Sequence, residues 1–100
     1  MREAARCYIF GLWHSSVAMA RAALEQGLRG ILKSKDNLAP LIQAATRLRL
    51  WSTKIEGMAR FVQTVGNGVL HDGPATPQEA LDTLRNARAV LIHLYTNVPS

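Results

Sequence analysis

Four residues of this chain have side chains able to do chemistry together: Arg21, Glu25, Asn67 and His71. Arg21 and Glu25 stand one helical turn apart in an otherwise apolar stretch, so a guanidinium and a carboxylate can pair there. Asn67 and His71 belong to "VGNGVLHDG", Val65 to Gly73. An imidazole near a carboxylate can be tuned across neutrality by that charge and by burial. An Arg beside a His can grip a phosphodiester and help to cleave it. All four meet only if the helix before the turn packs on the one that carries Arg21. The competing reading of such a cluster is a buried polar network that fixes helix register and does no chemistry.

The turn also has a plain structural reading. Gly is the usual residue at a left-handed C′ position and Asn tolerates it next best. Gly66-Asn67-Gly68 is therefore expected to stop a helix, with Val69 and Leu70 tucking back under the fold and Asp72-Gly73-Pro74 turning the chain toward Thr76. Asn67 then caps loose carbonyls and His71 bonds a neighbouring backbone group. The turn reads first as a helix stop and second as a site.

The elements that must hold these residues are helices. From Arg2 to about Leu32, Ile9, Trp13, Val17, Ala20, Leu24, Leu28 and Ile31 recur at steps of three and four, one continuous helical stripe. Gly11, Gly27 and Gly30 weaken it locally. A second stripe (Tyr8, Leu12, Ser16, Met19, Ala23) widens the apolar surface beyond what an outer helix needs. That predicts either a central helix or one that meets another chain. "KSKDN" breaks it, with Asp36 or Asn37 available as N-cap. Leu38, Leu41, Ile42, Ala45 and Leu48 mark a short second helix. Thr53 and Glu56 fit a capping box for a third, striped by Ile55, Met58, Ala59, Val62 and Val65 and ending at "GNG". Thr76-Pro77-Gln78-Glu79 opens the fourth with an N-cap, a Pro at N1 and a reciprocal Glu at N3. Leu81, Leu84, Leu91, Leu94 and Tyr95 stripe it as far as Asn97.

The expected fold is all-α: a single domain over 1–100, a four-helix, up-and-down bundle with two long and two short helices. Composition agrees, with 48% hydrophobic residues but only 6% aromatic, so the apolar content is mostly Ala, Leu, Val and Ile. Twelve Lys and Arg against seven Asp and Glu give a formal charge of +5, which raises the odds of a polyanionic partner without naming one. The cations at the ends of the second helix (Arg29, Lys33, Lys35; Arg47, Arg49, Lys54) read as scattered surface charge, without the interleaved aromatics of a base-stacking platform. Trp51 reads either as an exposed aromatic at the next corner or as a buried hinge residue.

The single cysteine, Cys7, excludes an intrachain disulfide, and no Cys/His spacing suits zinc. Neither a metal nor a cofactor is expected. The opening residues mimic a secretory leader, but Glu3, His14, Ser15 and Ser16 interrupt it, so a cytoplasmic location is expected. No apolar run approaches the ~20 residues needed to span a bilayer, so no membrane partner is expected. Phosphate-loop, HExxH and nucleophile-elbow motifs are absent. A literal Arg-x4-His does occur, "RAVLIH" from Arg88 to His93, but on a continuous helix residues five apart point about 140° from each other. Chance explains it.

Three stretches carry a resemblance: "EAARCYIFGLWHSSVAMARAALEQGLRG", "VGNGVLHDG" and "TPQEALDTLRNARAVLIHLY". Spanning nearly the whole chain, they resemble the bacterial domain-of-unknown-function family numbered four-one-four-five, itself similar to the HEPN superfamily of helical bundles. The resemblance implies a dimeric bundle of a type found in bacterial mobile-element and defence proteins. Catalytic HEPN proteins are metal-independent ribonucleases that use an Arg, a neighbouring polar residue and a His four to six residues after the Arg. Asn67 and His71 match the polar residue and the histidine. Gly66, however, precedes Asn67, Gln63 stands where the family's Arg is expected, and Arg60 lies a turn earlier.

The function expected from the sequence is a non-catalytic helical interaction or regulatory module whose partner is a second copy of itself. An RNA-binding protein or metal-independent ribonuclease of HEPN type, with His71, Asn67, Arg21 and Glu25 as its candidate residues, is the alternative. RNA and another protein are the further candidate partners.

Overall fold

The structure, a computed structural model, describes residues 1–9, 12–72 and 75–97 and, within these, every side chain except those at 7–9, 70–72 and 97. Five helices occur among the described residues: α1 (Arg2–Ile9), α2 (Trp13–Leu32), α3 (Leu38–Arg47), α4 (Thr53–Asp72) and α5 (Pro77–Asn97). No strand occurs among the described residues. The Cα radius of gyration, 12.8 Å, matches the ~13 Å expected of a compact chain of this length.

Local signals placed several boundaries correctly. At the start of α5 the capping box forms: Glu79 N–H donates to Thr76 Oγ1 at 3.1 Å and Thr76 N–H donates to Glu79 Oε1 at 2.9 Å. Helix α2 ends at Leu32 on Lys33, which is left-handed (φ 51°) and whose N–H bonds the Arg29 carbonyl. Asn37 sits at the N-cap position of α3 but makes no side-chain cap bond. The cap of α4 lies one residue earlier than expected. Ser52 Oγ accepts from Ile55 N–H at 3.3 Å, while Glu56 turns to Arg60 at 2.7 Å.

Two expectations are overturned. The first helix is not continuous from Arg2 to Leu32. Leu12, at φ −90° and ψ 64°, is not helical, and α1 folds back along α2. The Ser16 hydroxyl, fully buried, donates to the Ala4 carbonyl at 2.8 Å, and Ala4 joins the core with Ala20 and Leu24. The extra apolar width of this region is thus covered in part by the chain's own α1. A stripe of period 3.6 cannot tell a straight helix from one that doubles back in phase.

The second correction concerns the glycine–asparagine corner. Helix α4 runs through Gly66, Asn67 and Gly68 without a break and ends at Asp72, so it has 20 residues. Val62 and Val69, buried on either side of these glycines, keep the helical period across them. Each Gly costs a helix about 1 kcal/mol, less than burying two such side chains returns. The bundle therefore has three long helices of 20, 20 and 21 residues and two short ones of 8 and 10, in place of two long and two short.

Helix α2 packs against each of the other four. Val17 meets Val69 and Ala80 near its start, Gly66 of α4 lies under Arg21, and Gly27 lies under Leu91 and Tyr95 of α5. Helices α2 and α4 are thus antiparallel, whereas α2 and α5 run in the same direction. Helix α3 and the turn after it close the end where α2 and α5 finish: Leu38, Leu41, Ile42 and Trp51 share a core with Leu28 and Leu94. Trp51 is the buried hinge, its indole N–H donating to Thr46 Oγ1 at 3.1 Å. His93 Nε2 lies 3.2 Å from the Leu50 carbonyl and ties α5 to the same turn.

Candidate functional site

The polar residues of α2 form a ladder on one side of the helix. Arg21, Glu25 and Arg29 stand at successive turns, as i,i+4 geometry requires. Arg21 Nη1 lies 3.9 Å from Glu25 Oε2, and Arg29 Nη2 lies 3.2 Å from Glu25 Oε1. Their side chains are mostly buried, with exposures of 23%, 16% and 28% along the ladder. Arg29 also reaches past the helix end: its Nε donates to the Asp36 carbonyl at 2.9 Å. Two cations on one carboxylate leave a net positive charge, half-sheltered, at the α2–α4 crossing.

At that crossing the Arg21 side chain lies across Gly66. A Cβ on Gly66 would collide with Arg21 Cδ and come within 3.2 Å of Arg21 Nε. That nitrogen is buried and has no hydrogen-bond partner among the described residues. The absence of a side chain at 66 is therefore a packing requirement: only Gly lets the guanidinium stem pass over the helix backbone. Nothing within 4 Å would meet a Cβ on Gly68. Gly68→Ala is thus expected to raise the unfolding free energy by about 1 kcal/mol. Gly66→Ala, which must displace Arg21, should lower it by about 1 kcal/mol. Urea midpoints would measure both, and equal gains would mean that Arg21 does not lie across position 66.

Of the four candidate residues, Arg21 and Glu25 do pair. Arg21 also reaches the helix that carries Asn67, but it touches Gly66, while Asn67 is exposed on an adjoining face. Position 71 falls one turn beyond Asn67 in α4; the His71 side chain lies outside the described residues. Arg29, the third rung, was visible in the sequence as a second i,i+4 partner of Glu25, but its place near a helix C-terminus gave it a sufficient local explanation. Arg88 and His93 lie on one unbroken helix, and His93 is engaged with the Leu50 carbonyl.

A second cluster had no sequence signal. Arg2 of α1 and Arg85 and Arg88 of α5 border a groove floored by Met1, Ala5 and Leu84. Its existence depends on α1 folding back.

Among the described residues no group of three His, Cys, Asp or Glu could hold a metal ion, and no helix is long and apolar enough to cross a membrane. No family model, curated protein or solved structure matches the chain.

Proposed function

We propose that this protein is a non-catalytic helical interaction module that pairs with a second copy of itself across the outer face of α2 and α5. The observation that carries this reading is the apolar surface on α5: Ile92 is 53% exposed and Tyr95, one turn on, is 68% exposed. Met19 of α2 adds to the exposed apolar residues at 38%. The Tyr95 ring lies over Gly27, its hydroxyl oxygen 3.3 Å from where a Cβ would stand, so α2 offers a small-residue surface beside it. Large apolar side chains grouped on an outer helix face are what self-association buries. A bundle of this kind fits the HEPN-like, mobile-element or defence-related setting that the resemblance implies.

Sedimentation equilibrium at tens of micromolar tests the proposal. A dimer is expected, with monomer from the doubly substituted Ile92→Asp, Tyr95→Glu chain at unchanged helical circular dichroism. Monomer throughout for the parent chain overturns it.

A second reading has one observation in its favour. Arg60 and Asn67 are both exposed on α4, seven residues apart and so on one side of the helix, with position 71 a turn beyond. An RNA-binding or metal-independent ribonuclease role would use this outward stripe rather than Arg21. A His71→Ala chain that binds and cleaves RNA just as the parent does removes it.

A further inference from the structure

The groove between α1 and α5 carries a separate inference, independent of self-association. It is an open groove of about 340 Å³ lined by Met1, Arg2, Ala5, Leu84, Arg85 and Arg88. Two features set it apart from the rest of the surface. One is its charge. Arg85 and Arg88 project one helical turn apart from α5 and Arg2 faces them from α1, and all three are exposed. The ion pairs of the described residues engage Arg6, Arg21, Arg29 and Arg60; none engages these three. The nearest carboxylates on the same helices are otherwise occupied, Glu3 with Arg6 at 3.5 Å and Asp82 with the Gln78 amide at 2.9 Å. The other feature is the floor. Met1, Ala5 and Leu84 bring apolar surface to the middle of a cationic rim.

We infer that this groove docks an acidic segment of a partner protein that presents one aliphatic or aromatic side chain between carboxylates. Charge complementarity selects the sign. A planar guanidinium binds a carboxylate through two parallel hydrogen bonds, and arginines a turn apart match carboxylates a turn apart on a partner helix. The apolar floor selects against a bare anion, which would leave Met1 and Leu84 uncovered. A single-stranded nucleic acid would want aromatic faces on which to stack, and none of the described residues that line the groove is aromatic.

The test is a selection of randomised twelve-residue peptides displayed on phage against the full chain. Enrichment of peptides with two or more Asp or Glu around one large apolar residue is expected. A fluorescent copy of the best peptide should bind about tenfold more weakly to the Arg85→Gln, Arg88→Gln chain, and more weakly again when its apolar residue becomes Gly. Both arginines are exposed, so the variant should keep the parent's circular dichroism. Three results overturn the inference: no acidic enrichment, equal binding to parent and variant, or displacement of the peptide by an oligouridylate that binds the parent more tightly. The dimer contact is read separately, because Ile92 and Tyr95 stay intact in this variant.

Discussion

Leu24→Ala is expected to lower the unfolding free energy by about 3–4 kcal/mol. Leu24 is fully buried, on the one helix that packs against all four others, so the hole left by its side chain has walls from several elements and little room to collapse. The same change at Leu48, which is 63% exposed, should stay within about 0.5 kcal/mol. Urea unfolding followed by circular dichroism measures both. A loss under about 1 kcal/mol at Leu24 would mean that α2 is not the central element of the fold.

The second large effect is expected at Glu25. Its carboxylate lies between Arg21 and Arg29, and Glu25→Ala strands two half-sheltered guanidiniums. For fully buried pairs such a loss runs to several kcal/mol; with these side chains still partly wet, about 2 kcal/mol is expected. The decisive comparison is a chain carrying both Arg21→Met and Glu25→Met. If the ladder is a packing device, this apolar replacement should return most of the loss, because well-fitted apolar side chains can stand in for a buried ion pair. If the double change stays as unstable as Glu25→Ala, the pair contributes more than its shape.

These two positions also mark what could be read from the sequence and what could not. Leu24 in the core, the Arg21–Glu25 pair and the Thr76 cap of α5 all follow from residues within a turn or two of one another, where spacing and capping chemistry act directly. The fold-back of α1 does not. Ile9 and Trp13 keep the same stripe on both sides of the break, so periodicity runs on as though nothing had happened. The corner at Gly66 misled for the opposite reason: Gly-Asn-Gly carries a strong local stop signal, and what overrides it is the burial of Val62 and Val69 on either side, while Gly66 itself answers to Arg21, far away in the chain, which fills the space that a side chain at 66 would take. The groove was invisible because Arg2 and Arg88 come together only once α1 and α5 are in place.

The shared direction of α2 and α5 has a consequence for how the molecule is made. Neighbouring helices that run the same way cannot be joined by a tight turn, and here α3 and α4 intervene. A chain leaving the ribosome therefore completes α1 to α4 while the flank of α2 that will receive Val90 and Leu94 is still wet. Until α5 has been made, that bare flank is open to other nascent chains or to a chaperone.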